Sequence, residues 1–341
     1  MMTYDKKINN LFLYWLITTL VLIFIIIIVG GLTRLTNSGL SITEWELFKG
    51  ILPPLNQESW LFYFDQYKKI PQFELLNKNM SLDEFKIIFY WEYFHRLIGR
   101  IIGLFFLIPL LFFYFLKSIN NKYMYTCYKI FFLIVIQGII GWYMVKSGLV
   151  NDVSVSHYRL AIHLGVAIFI ISTIFWLVLN ILSEKNKIFF YFTKKNIPFL
   201  FLILLIFLQI ILGAFVSGLD AGKIYQTWPM MGYSYFPDDI NLNIMKNTID
   251  FNNHSLVQFY HRNLAYMITF YILVLSGYIY YKDLKSLYTP LKIVFTFLII
   301  QVILGIFTLL SGLNIYLASA HQITSVILVF SAINLYYYQA K

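Results

Sequence analysis

Long apolar runs alternate with short polar connections along the chain. The runs fall at about 11–30, 88–116, 127–146, 157–181, 197–216, 257–281, 291–311 and 315–338. A helix needs roughly 20 consecutive apolar residues to cross a bilayer core, so the pattern predicts an all-α integral membrane protein of eight transmembrane helices. One connection, about 31–87, is far longer than its counterparts. It is polar, mixed in charge and rich in aromatics (Trp45, Trp60, Phe62, Tyr63, Phe64, Tyr67). That composition predicts an ordered cap over the first half of the chain.

Composition excludes the soluble multidomain reading that length alone allows: 60% of residues are hydrophobic, only 12% are charged, and mean hydropathy is +0.71. The bias towards Ile, Phe, Tyr, Asn and Lys is that of an AT-rich genome, so the aromatic content by itself signals no cofactor. Lys6 and Lys7 precede the first run, which is too long for a signal peptide and lacks a small-residue cleavage site, so a retained first helix is expected. No Arg-rich, Ser-rich transit segment precedes it, which favours a bacterial inner membrane. Cys127 is the single cysteine, which excludes an intramolecular disulfide and a cysteine metal cluster.

Charge orients the spans. The two termini and the loops after the second, fourth and sixth spans carry 13 of the 26 Lys and Arg but three of the 16 acids (Asp5, Glu184, Asp283). Positive charge concentrates on the cytoplasmic side of such proteins, so both termini are expected there. The net charge of +10 therefore reflects topology and gives no case for nucleic acid.

The chain repeats itself. QGIIGWYMVKSGL (137–149) echoes QVILGIFTLLSGL (301–313), EYFHRLIGR (92–100) echoes QFYHRNLAY (258–266), and GGLTRLTNSGLSITEW (30–45) more loosely echoes GAFVSGLDAGKIYQTW (213–228). Two halves, 1–190 and 191–341, are expected as tandem four-helix bundles of the same orientation. His95 and His163 lie near the outer ends of spans two and four, and His261 and His321 hold the matching places in spans six and eight. Helical rise puts all four at about 6–8 Å below the outer ends. Two facing histidines on separate helices suit axial ligation of a heme iron. Zinc and di-iron sites need more protein ligands. A lone histidine there more often bonds a neighbouring helix; four at matched depth in a repeat argue against that. His157 and His254 have no repeat counterpart and read as outer-loop residues.

All five arginines, Arg34, Arg96, Arg100, Arg159 and Arg262, fall on the outer side. A guanidinium matches a carboxylate bidentately, so they are candidate partners of heme propionates, against the alternative of snorkelling or pairing with loop acids. Glu92 stands three residues before His95, where the second half has Gln258. A titratable group beside one site and an amide beside the other suggest different tasks, although a glutamate in a first helical turn is also favoured by the helix dipole.

These motifs together resemble the heme A synthase family: GGLTRLTNSGLSITEW with Pro53 and Pro54, EYFHRLIGR and HLGVA (163–167) in the first half, YHRNLAY and ASAHQITS (318–325) in the second. The resemblance covers almost the whole chain. It implies an eight-helix oxidoreductase that oxidises the C8 methyl of heme O to the formyl group of heme A, for aa3-type cytochrome oxidases. It implies that His261 and His321 hold a resident heme B, and that His95 and His163 bind heme O. Glu92 matches the family's acidic residue, a candidate catalytic group that moves protons or stabilises a developing cation. The chain lacks the outer-loop cysteine pair of some bacterial members, so it is similar to the branch shared by alphaproteobacteria and mitochondria. Expected partners are heme O and heme A, membrane lipid, the heme O synthase that precedes it and an electron donor; a homo-oligomer is allowed. The residues alone leave a rival, a membrane di-heme b-type cytochrome in quinol-linked electron transfer. A transporter or heme carrier fits less well.

Overall fold

A computed structural model describes residues 6–45, 49–149, 153–241 and 249–340. Asp5 and Lys341, counted above on the inner side, lie outside them. Among the described residues there is no β-strand, only an isolated bridge between Met231 and Ser234, and eight helices are long and apolar enough to cross a membrane. All eight expected spans are found. The chain divides into two compact units, Met1–Ile171 and Ser172–Lys341.

The first unit holds α1 (Lys6–Leu35), the short α2 (Gln57–Tyr67) and α3 (Pro71–Leu76), α4 (Leu82–Leu116), α5 (Asn121–Gly148) and the first part of α6 (His157–Leu182). α1 packs on α4, and α4 on α5. In this core Phe12 meets Phe113 at 5.3 Å and Trp15 meets Phe106 at 4.7 Å. Pro109 lies inside α4. It has no N–H to give to the carbonyl four residues back, which is that of Phe105. The Trp15 Nε1 donates to this carbonyl at 3.1 Å, satisfying the freed group from a neighbouring helix.

α4 begins earlier than its apolar run. Ser81 caps it, and Glu84 closes a reciprocal capping box, so the helix continues through a polar first turn. This extension carries the expected cap. Trp60, Phe64 and Tyr67 of α2 are buried against Phe85, Ile88, Phe89 and Tyr93 of α4. The Tyr67 hydroxyl donates to Gln72 Oε1 at 2.9 Å and accepts from Asn77 Nδ2 at 2.7 Å, and burial raises its pKa above the ordinary phenol value. Trp45 and Phe62, grouped with the cap aromatics above, are exposed.

The second unit holds the rest of α6, then α7 (Ile197–Gly218), α8 (His254–Tyr281), α9 (Tyr288–Leu310) and α10 (Ile315–Gln339). α7 packs on α8, α8 on α9, α9 on α10 and α10 on α7, a closed ring of four. The latter part of α6 lies on α10, with Phe175 at 4.6 Å from Phe330 and Trp176 at 5.3 Å from Tyr336. Lys187 Nζ donates to the carbonyls of Tyr337 and Ala340, placing a cation on the C-terminal carbonyls of α10. The repeat reaches the backbone. Asn37 and Asp220 share φ 53°, and Lys117 and Asp283 have φ 48° and 49°. Each pair holds matching places just past a helix end, where a left-handed residue turns the chain out.

Candidate functional site

In each unit two histidines on different helices face one another. The His95 and His163 ring centroids are 6.4 Å apart with the planes at 66°; those of His261 and His321 are 6.5 Å apart at 80°. Each ring is seated against a glycine of the preceding long helix: Gly30 for His95, Gly141 for His163, Gly213 for His261 and Gly305 for His321. A Cβ added at these glycines would stand only 2.9, 3.0, 3.2 and 2.9 Å from the Cε1 of the respective ring. The glycines thus admit the imidazoles between the helix backbones. Sequence reasoning missed these seats, although the matched glycines of the repeat were visible.

Behind the rings the sequence places a second set. Four residues before each glycine stand Ile26, Gln137, Gln209 and Gln301. Gln137 Nε2 donates to the His163 carbonyl at 3.0 Å, and Gln209 Nε2 to the His261 carbonyl at 3.0 Å. His321 Nδ1 lies 3.1 Å from the Gln301 carbonyl. A carbonyl at Nδ1 sets the tautomer and leaves Nε2 to bind a metal.

Beside each pair a loop is tied down at matching places. Glu92 is buried, and its Oε1 accepts from Arg96 Nη2 at 2.6 Å and Nε at 3.1 Å. Its Oε2 accepts from Ser41 Oγ and the Ile42 backbone N–H, each at 2.8 Å. Arg96 also donates to the carbonyls of Ile42 (2.8 Å) and Glu44 (3.3 Å), and stacks 5.3 Å from the Trp45 ring. In the second unit Arg262 donates to the carbonyl of Tyr225 (3.2 Å), the counterpart of Ile42, and of Met230 (3.3 Å). Gln258 Nε2 donates to the same Tyr225 carbonyl at 2.9 Å. That loop is further held by Asp239, which accepts from the Tyr225 hydroxyl at 2.6 Å and the Ser255 hydroxyl at 2.8 Å. Burial, then this carboxylate, raises the Tyr225 phenol pKa.

The remaining candidates fall as follows. Arg34 donates to Asn37 Oδ1 at 2.8 Å, and Arg159 lies 5.2 Å from the Tyr143 ring. Arg100 is on α4, five residues past His95. His157 and His254 are the first residues of α6 and α8 rather than loop residues, and His157 is buried. Among the described residues no group of three or more His, Cys, Asp or Glu could hold a metal. Pairs of histidines are what remain, and these leave most of a metal's coordination to the ligand that carries it.

The seats make a testable claim. Gly305→Val is expected to push the His321 ring out of place and, where this pair holds heme as the resemblance implies, to weaken its retention at least about tenfold, as losses of support behind metal ligands do. Gly277→Ala, with nothing within 4 Å of the added Cβ, serves as the control. Heme per chain in the purified proteins, read by pyridine hemochrome, checks it; equal content in both variants would refute it.

The family model for cytochrome oxidase assembly protein, COX15-CtaA, matches residues 13–333. A protein of Pelagibacter ubique named heme A synthase is 52% identical over 328 residues, which are 93% of this chain and 93% of the relative. One of Parvibaculum lavamentivorans with the same name is 42% identical over 312 residues, 91% and 88%. One of Flavobacterium johnsoniae, again so named, is 37% identical over 335 residues, 95% and 96%.

Proposed function

Because the chain belongs to the COX15-CtaA family of cytochrome oxidase assembly proteins, we propose that it is the oxidoreductase that converts heme O to heme A, with one histidine pair for the substrate and one for a resident heme. Its eight apolar helices and bacterial relatives make it a multi-pass inner-membrane protein. Both termini are assigned to the cytoplasm by charge, and the two halves are read as tandem bundles of like orientation.

The observation that carries the two-site reading is the pair of facing imidazoles in each unit; which pair takes the substrate is what the resemblance implies. A nitrogen ligand binds a first-row metal at about 2 Å, so a metal midway between two rings sets their centroids roughly 6 Å apart. Separations of 6.4 and 6.5 Å meet that requirement twice. On this reading His261 and His321 hold heme B, and His95 and His163 hold heme O by its iron. When bound, heme B supplies reversible one-electron transfer. The substrate's C8 methyl would pass through two successive hydroxylations to a geminal diol, which loses water to give the formyl group; each hydroxylation removes two electrons from that carbon, so an oxidant and an oxygen source from outside the chain are required.

The chain's own residues do the rest. The glycine seats and the carbonyls behind them orient the imidazoles. The aromatic cap of α2 on α4 screens the outer side of the first unit from water. Arg34, Arg100 and Arg159 are the proposed partners of propionates. Arg96 and Arg262, whose guanidiniums already bind loop carbonyls, hold the loops in place. Glu92 acts within the first clamp.

Acid-acetone extraction of the purified protein, co-expressed with a heme O-producing prenyltransferase, tests the proposal. Heme B together with heme O or heme A is the expected result by HPLC. Two equivalents of heme B, unchanged by co-expression, would instead make it an electron-transfer cytochrome.

A further inference from the structure

The connection between α7 and α8 folds back along α8. Trp228 Nε1 donates to the Tyr266 hydroxyl at 3.0 Å, and the Tyr235 hydroxyl donates to Asn263 Oδ1 at 2.6 Å. Tyr235 and Phe236 pack on Phe259, with ring centroids 5.8 and 5.1 Å away. At 3.6 residues per turn, Phe259, Asn263 and Tyr266 stand about 140–160° round the helix from His261. Met267, Phe270, Leu273 and Val274 form an exposed apolar row on α8. That row stands about 120–180° from His261. The loop therefore covers the face of α8 that continues, further along the helix, as its lipid-facing surface. By helical rise, Asn263 and Tyr266 lie about 3 and 7.5 Å further along than His261, so the loop is attached past the level of that histidine.

The loop is built for that position. Its large exposed side chains are Ile224, Trp228, Met230, Tyr233 and Tyr235, and Tyr233 is 98% exposed. Trp and Tyr gather where headgroups meet acyl chains, because that boundary accommodates both an apolar ring and its polar edge. Several backbone groups find partners inside the protein, as a segment short of water requires. The Met231 N–H donates to the Ser234 carbonyl at 2.8 Å, and the Tyr233 N–H to Asp238 Oδ2 at 2.5 Å. Thr227 Oγ1 and Arg262 Nη1 donate to the Met230 carbonyl at 2.8 and 3.3 Å. Asp238 also accepts from Ser234 Oγ at 2.7 Å, and Asp239 from Tyr225 and Ser255, so both carboxylates are engaged by the loop and its junction with α8. Asn263 and Tyr266 would be costly on a lipid-facing surface without partners; the loop supplies them. In the first unit Leu97 and Arg100 stand at those two places, and the chain after Trp45 instead builds the aromatic cap on α4.

We propose that residues 224–236 form an interfacial anchor, whose aromatic side chains sit among the phospholipid headgroups and upper acyl chains, and that Asn263 and Tyr266 hold it at that depth. The partner is the lipid surface rather than a second protein. The face beneath the loop is continuous with the one that α8 shows to lipid, and the large side chains that the loop displays are uncharged. The inference does not depend on which heme the second unit holds.

The test places a nitroxide on residue 233, as Tyr233→Cys in a Cys127→Ala background. Its depth is read by power-saturation EPR in vesicles of phosphatidylethanolamine and phosphatidylglycerol. Dissolved oxygen relaxes a label in lipid, and a water-soluble nickel chelate relaxes one in water. Labels at Phe270→Cys, in the exposed apolar row of α8, and at Asp83→Cys, exposed in the polar first turn of α4, give the two limits. The label on residue 233 is expected about 5–10 Å into the boundary between headgroups and acyl chains. Adding Asn263→Leu and Tyr266→Phe is expected to release the loop and bring the label within reach of nickel. A label on residue 233 as open to nickel as the one on residue 83 would put the loop in water and overturn the inference. Screening from both agents would mean that protein, such as a second copy of the chain, covers the loop, which overturns it equally. An unchanged depth after the two further substitutions would refute the holding role of Asn263 and Tyr266.

Discussion

Alanine at His95 or His163 is expected to abolish heme A formation and leave heme B bound, whereas alanine at His261 or His321 removes heme B and activity together. The expectation follows from the pairing. Each ring faces a single partner, at 6.4 Å in the first unit and 6.5 Å in the second, and no third ligand stands by among the described residues. Losing one ring leaves its heme a single protein ligand, and retention at that site is expected to fall by more than about a hundredfold, beyond the effect of losing support behind a ligand. The pairs lie in separate compact units, each with its own glycine seats, so the losses should be separable. Heme stoichiometry by HPLC and the low-spin optical spectrum of each variant check this. Loss of heme B from His95→Ala would reverse the assignment of cofactor and substrate sites.

The spans were legible because hydropathy reports burial in lipid directly, and the histidines because a repeat sets each beside its counterpart. What stayed hidden lies in contacts between positions far apart in sequence. The start of α4 at Leu82 was missed since its first turn is polar; the capping box at Ser81 and Glu84 was the available signal. The glycine seats needed the pairing of α1 with α4 and of α9 with α10 before their role could be seen. The arginines show a different gap. Arg96 directly follows His95, and Arg262 directly follows His261, but consecutive residues of a helix point in different directions. The partner of Arg96 was four residues back at Glu92, an i,i+4 ion pair that the spacing allowed. Its anchoring to Ser41 and Ile42, some 50 positions away, had no signature in the sequence.

That clamp governs the second large effect. Glu92→Gln is expected to spare both hemes but cut heme A yield at least about tenfold, each lost decade being a barrier increase of about 1.4 kcal/mol. A carboxylate offers about four lone-pair positions, and here four donors use them: two from Arg96, one from Ser41 and one from the Ile42 backbone. Glu92 therefore has no free position with which to take a proton from substrate while these four bonds are made, and its effect is expected to run through the loop. The pair is buried, with side-chain exposures of 9% for Arg96 and 3% for Glu92. Removing one member of such a pair costs about 3–5 kcal/mol because the other is left uncompensated. Arg96→Gln should then depress yield as Glu92→Gln does, and the double variant should be no worse than either single one, since both break the same element. Ser41→Ala removes one donor to this carboxylate and should cost about 1.5–3 kcal/mol. Heme A yield and retained heme, measured across these four proteins, decide between loop and direct chemistry. Near-normal conversion in Arg96→Gln beside an inactive Glu92→Gln would place the carboxylate on the substrate itself, with the ion pair as mere support.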